Sequence, residues 1–139
     1  MIRTLVLALL VAAFARPAEA CSCLRREIDE AYAGSDVVVV ATIVAQLEND
    51  DSTGMRHRVF DVQVESAWKG KAKYAMKVAT GFGGGDCGRH LKKDQKWIFF
   101  LNEHMGMTFT SICDNSVLWS KDEMAKMVKK FGAPKNPKS

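Results

Sequence analysis

Cys21, Cys23, Cys87 and Cys113 are the residues of this 139-residue chain whose type and spacing can do chemistry. Cysteine thiolates build structural zinc sites from Cys-x2–4-Cys pairs, a pattern that Cys21-Ser22-Cys23 with two isolated partners fits poorly. Disulfides are the stronger expectation, because the residues ahead of Cys21 read as an export signal. Arg3 gives a positive start, Leu5 to Phe14 is an unbroken apolar stretch, and Pro17 precedes an A-x-A cleavage site at Ala18-Glu19-Ala20. Residues 1–20 are therefore expected to be a signal peptide, and the chain to be secreted into an extracellular or periplasmic space. Cleavage after Ala20 makes Cys21 the first residue of the mature protein. Lipidation of that cysteine is the weaker reading, since Ala18 and Glu19 replace the Leu and the small residue that a lipoprotein signal wants. Four cysteines allow three pairings. A Cys21–Cys23 bridge would close a strained small ring, so two pairings with Cys87 and Cys113 remain open. Each bridge would close a loop of about 65–90 residues, which the chain-entropy model values at roughly 4 kcal/mol.

Other chemistry is weaker. Gly83-Gly84-Gly85-Asp86-Cys87-Gly88 matches G-x-G-x-x-G, but that pattern binds dinucleotides only between a strand and a helix of a βαβ unit. His57, His90 and His104 form no H-E-x-x-H or i, i+4 pair, and no G-x-S-x-G elbow exists. With both bridges formed no cysteine nucleophile is left, so the chain is not expected to be an enzyme. A net charge of +4 is too small to imply nucleic acid. The longest apolar run falls short of the ~18 residues of a membrane span.

The elements that must position these cysteines follow from periodicity. Leu24, Ile28, Ala31 and Tyr32 share one face of a short helix, which Gly34 ends. Ser35 to Leu47 is rich in β-branched residues and reads as a long strand. Phe60, Val62, Val64 and Trp68 alternate along a second strand; Tyr74, Met76, Val78 and Thr80 mark a third. Residues 81–88 form a glycine-rich loop around Cys87. Trp97 to Leu101 is an apolar strand expected to be buried on both faces, and Met107 to Ile112 a fifth strand. Ser120 and Glu123 form a capping box ahead of Met124, Met127, Val128 and Phe131 at helical spacing. Residues 132–139 are expected to be a flexible tail. Five short strands that must manage their edges, with a helix at each end, predict a mainly β domain over residues 21–131. A five-stranded OB-fold-like barrel with flanking short helices is its expected form. The aromatic residues Phe60, Trp97, Phe99 and Phe100 are expected in its core rather than on a nucleic-acid face.

These residues, taken in order, resemble a known family. Cys21-Ser22-Cys23 at a mature terminus is followed by Ala31-Tyr32-Ala33-Gly34-Ser35-Asp36-Val37-Val38, Trp68-Lys69-Gly70, Cys87-Gly88 and Ser111-Ile112-Cys113. The order is similar to the inhibitory N-terminal domain of the tissue inhibitors of metalloproteinases, in the netrin-like group. The resemblance spans Cys21 to about Trp119. It implies an OB-type barrel and the pairings Cys21–Cys87 and Cys23–Cys113. The animal inhibitors carry a further cysteine where Ala33 stands here, and a second, cysteine-rich domain. This chain resembles a single-domain, two-disulfide version.

The chemistry of such inhibition can be argued from the residues. A catalytic zinc keeps an exchangeable water. The free amine and carbonyl oxygen of Cys21 could bind one metal in an unstrained five-membered ring, displacing the nucleophilic water of a metalloprotease. The resemblance implies a zinc metalloendopeptidase as partner, no cofactor of the chain's own and contact only with the partner's zinc. Ser22 would enter the enzyme's primary specificity pocket, with Cys23, Leu24 and the loop Asp86-Cys87-Gly88 flanking it. A monomer without a membrane span is expected. The alternative is a non-inhibitory netrin-like module that binds another exported protein or a cell-surface polymer.

Overall fold

A computed structural model describes residues 21–49 and 56–138. The expected signal peptide lies outside the described residues. Strand β1 (Val37–Gln46) pairs antiparallel with β2 (Arg58–Lys69), and β2 with β3 (Ala75–Thr80). Strand β4 (Lys96–His104) returns to pair antiparallel with both β1 and β5 (Met107–Phe109). A single parallel pair, Ala79 with Phe109, joins β3 to β5. The cycle β1-β2-β3-β5-β4-β1 is thus a closed, mixed, five-stranded barrel, consistent with the OB-like architecture. A two-residue strand, β6 (Val117–Leu118), extends the β5 side of β4.

The continuous apolar runs are explained by burial on both faces. Val37, Val39, Ala41 and Ile43 of β1 point into the barrel with Phe60, Val62, Val64, Trp97, Phe99 and Leu101. Val38 and Val40 point outward with Ile98 and Phe100 of β4, into a second core closed by Ala31 and Met127. That outer layer is made by α1 (Ile28–Gly34) and α2 (Lys121–Phe131). Their ends meet where the rings of Tyr32 and Phe131 stack at 4.0 Å. Trp68 donates Nε1–H to the carbonyl of Gly132 at 2.8 Å, tying β2 to the end of α2. Ser120 caps α2 by accepting from the amide of Glu123 at 3.1 Å.

Three sequence expectations are adjusted. The first helix begins at Ile28, so Leu24 is not on its core face; residues 21–27 are irregular, and Leu24 is 89% exposed. Helical winding from Leu24 would pull the segment away from the loops that hold Cys21 and Cys23. The fifth strand ends at Phe109, because Thr110 to Asn115 turn around the carboxylate of Asp114. Residues after Gly132, read as a flexible tail, pair with the barrel wall. Lys135 exchanges two backbone bonds with Ala67, at 2.8 and 2.7 Å. The amide of Lys138 donates to Ala72 O at 3.0 Å, and that of Tyr74 donates to Lys138 O at 3.3 Å.

A candidate partner-binding surface at the pinned cysteine segment

Two disulfides, Cys21–Cys87 and Cys23–Cys113, hold an otherwise irregular segment against two loops. This is one of the two pairings that spacing leaves open, and the one that the resemblance implies. The bridges span 66 and 90 residues. Their sulfurs crowd together: Cys21 Sγ lies 3.7 Å from Cys113 Sγ, and those of Cys21, Cys23 and Cys113 all lie within 4.8 Å of one another. All four cysteines are bridged, so these sulfurs are not thiolate ligands. Cys21 is half-buried, whereas Ser22, Cys23 and Leu24 are exposed. The segment is held by sulfur and presents its main chain, one hydroxyl and one apolar side chain outward.

The loop bearing Cys87 is built by Asp86. Its carboxylate accepts from the amides of Phe82 at 2.6 Å, Gly83 at 2.8 Å and Gly88 at 3.1 Å. The Phe82 bond is the largest of the effects that hold the Asp86 pKa below its ordinary value; Gly88 and Gly83 add to it, and partial burial opposes it. Gly88 is buried, and a Cβ there would lie 2.3 Å from the carbonyl carbon and oxygen of Gly81 and 2.4 Å from Gly83 N. Only glycine lets the loop close on itself. The residue between them, Cys87, takes a left-handed backbone with φ 56°, a conformation costly for a residue with a side chain. Asp86 and Gly88 therefore shape the loop from within, and both carboxylate oxygens of Asp86 are used in doing so. Cys87 is the loop residue that reaches the N-terminal segment.

The loop bearing Cys113 is built by Asp114, and Arg89 joins the two loops. Asp114 Oδ2 accepts from the Thr110 hydroxyl at 2.6 Å and the Ser111 amide at 2.9 Å; Oδ1 accepts from the Ser116 amide at 2.8 Å. The Arg89 guanidinium reaches the carbonyl of Ser111 at 2.6 Å and Asp114 Oδ1 at 2.9 Å, and lies 5.1 Å from the Trp97 ring centroid. The amide of Ile112 also donates to Cys87 O at 3.0 Å. From the barrel side, the Arg58 guanidinium donates to Gly81 O and Arg89 O at 2.8 and 3.0 Å. Behind these loops lies an open groove of about 460 Å³ that includes Arg56, His57, Asn102 and Phe109.

Sequence reasoning reached the four cysteines, Ser22 and Leu24 but missed Arg58, Arg89 and Asp114. Adjacency to Cys87-Gly88 and to Cys113 was the only signal available for the last two. Their partnership spans 25 residues and carries no motif. Lys69 was also missed. Its ammonium donates to the carbonyls of Tyr32 and Ala33, each at 2.9 Å, and holds the end of α1 at the position where the animal inhibitors carry a further cysteine. The three histidines form no common cluster; the cysteine sulfurs are the one potential metal-ligating group of three or more among the described residues.

No family model matches the chain, and no curated protein matches it.

Proposed function

We propose that the chain is an exported inhibitor of zinc metalloendopeptidases that acts through the main-chain nitrogen and oxygen of Cys21. One observation carries the reading. Disulfides at positions one and three of the expected mature terminus fix it to two hydrogen-bonded loops, while Ser22 and Leu24 between and after them stay exposed. A terminus fixed in this way loses little further freedom on binding, which is how preorganised inhibitors gain affinity. The sulfur of Cys21 is committed to Cys87, so its free donors after cleavage are the amine and the carbonyl oxygen. These two atoms would replace the water that the protease must activate. The zinc belongs to the target, and this chain brings no cofactor of its own. The barrel with two flanking helices is the fold that the resemblance to the tissue inhibitors of metalloproteinases implies, and it adds support.

In this reading Ser22 enters the primary specificity pocket and Leu24 lies beside it. Cys87 supports the terminus, with Asp86 and Gly88 supporting Cys87 rather than touching the enzyme. Export is required, because the amine is liberated by cleavage after Ala20 and the bridges need an oxidising compartment. The two disulfides are compatible with export, and no helix among the described residues is long and apolar enough to cross a membrane.

The test uses two oxidised chains, one starting at Cys21 and one carrying an extra Ala before it. Both are titrated against a panel of zinc endopeptidases. Inhibition by the first alone is the expected result. Equal inhibition by both would place the inhibitory site elsewhere, and inhibition by neither would favour a non-inhibitory binding module.

A further inference from the structure

The C-terminal residues bring a second surface together, remote in sequence from the cysteine segment. Residues 66–77 contain Lys69, Lys71, Lys73 and Lys77 and no acidic residue; residues 132–138 contain Lys135 and Lys138 and none either. The fold hydrogen-bonds these two acid-free segments side by side, through Ala67 with Lys135 and through Lys73 with Lys138. Lys71, Lys73, Lys135 and Lys138 are exposed, and among the described residues none of them forms an ion pair. Other lysines are engaged: Lys96 with Glu65, Lys126 with Glu123, Lys130 with Asp29, and Lys69 with two carbonyls. After removal of residues 1–20, which carry Arg3, Arg16 and Glu19, the chain has 18 basic and 15 acidic side chains. Four unpaired cations on one surface therefore exceed the net charge of the expected mature protein, so the charge is polarised rather than spread.

A groove of about 270 Å³ adjoins this surface, in the gap where β3 and β5 share only the Ala79–Phe109 pair. The charged residues that line it are Lys71, Lys73 and Lys77, all cationic; Ala75, Met76 and Thr108 lie among them. Lys77 also stands opposite Asp61 in the β2–β3 ladder, which leaves Lys71 and Lys73 as its unbalanced charges. A groove lined by cations suits a single extended anionic chain better than it suits a flat membrane. Lysine ammonium groups at exposed positions bind such chains as point charges, without selecting a base or a planar group.

We propose that the Lys71, Lys73, Lys135 and Lys138 surface binds a linear sulfated or carboxylated polysaccharide. The proposal does not depend on protease inhibition, since it uses no residue of the cysteine segment. It gives an exported protein a means of retention near a polyanionic matrix, and its contacts should weaken as salt screens them.

The test titrates the oxidised chain starting at Cys21 with dextran sulfate and with neutral dextran, at low and high salt. Two fourfold variants accompany it: one with Lys71, Lys73, Lys135 and Lys138 each changed to Gln, and an equal-charge control with Lys92, Lys93, Lys121 and Lys129 each changed to Gln. Circular dichroism checks that both stay folded. The native chain should bind dextran sulfate and not dextran. The surface variant should lose about tenfold or more in affinity, with the control within about twofold of native. Equal loss in both variants would reduce the effect to net charge and overturn the proposal. So would absence of binding at low salt, or tighter binding to single-stranded DNA or to vesicles of anionic phospholipid.

Discussion

The guanidinium of Arg89 lies 2.9 Å from Oδ1 of Asp114, with only 12% and 9% of the two side chains exposed. The pair joins the residue that follows Cys87-Gly88 to the residue that follows Cys113. Each disulfide of the N-terminal segment therefore ends on a loop anchored to the other loop. Replacing Asp114 by Ala leaves a buried guanidinium without its counter-charge and frees the Thr110, Ser111 and Ser116 groups. Breaking a buried pair costs about 3–5 kcal/mol, and the low end is expected because Arg89 keeps the Ser111 carbonyl. Denaturant unfolding of the oxidised variant measures this, and a loss below about 1 kcal/mol, the scale of a surface pair, would contradict it.

Asp86 should govern the Cys87 loop through its charge. Its folded pKa lies below the ordinary 3.8, chiefly because the Phe82 amide donates to the carboxylate. A depressed acid pKa stabilises the fold fully above the unfolded value, and that contribution fades as the pH falls through the folded value. Amide protection at Phe82, Gly83 and Gly88 should therefore survive at neutral pH and fall only at pH below 3.8. Asp86→Ala should speed exchange at these amides by about tenfold or more at neutral pH, leaving the barrel strands unchanged. Uniform loss of protection across the barrel would contradict a local role.

Removing the second bridge tests how far the terminus relies on it. With Cys23 and Cys113 both changed to Ser, the chain-entropy model expects a loss of roughly 4 kcal/mol for a loop of 90 residues. The domain should still fold through its two cores, with Cys21–Cys87 intact. Thermal unfolding and intact mass read the two outcomes. An unchanged melting temperature would show that the bridge constrains neither state.

Acid should weaken the proposed inhibition. The Cys21 amine must be neutral to donate to zinc, and a free α-amino group titrates near about 7.7–8.0. Potency should drop by roughly tenfold for each unit of pH below that range, after correction for the protease's own profile. Equal potency at about pH 5.5 and pH 8 would rule out chelation by the amine.

Much of the barrel was legible in the sequence because strand periodicity is local. Phe60, Val62 and Val64 alternate, and the runs Val37–Ala41 and Trp97–Leu101 announce burial on both faces. The Ser120 cap and the Met124, Met127, Phe131 spacing likewise fix α2 from neighbours a few residues away. Leu24 misled because its spacing to Ile28 and Ala31 is helical, while covalent ties at Cys21 and Cys23 hold that segment out of the helix. Strand β6 and the docking of Lys135 and Lys138 leave little pattern, since two residues or a single bridge have no period to read.

The sequence by itself determined which residues carry sulfur, where the expected terminus falls, and which side chains enter the two cores. It could not choose between the two open cysteine pairings, because both satisfy the same spacing. The tertiary structure decided that choice by bringing the loop at Cys87 to Cys21 and the loop at Cys113 to Cys23. It also decided that Asp86 faces inward, that Arg89 meets Asp114, and that two acid-free segments share one surface. Each of these depends on through-space distance between residues far apart along the chain, and hydrophobic periodicity carries no record of such distances.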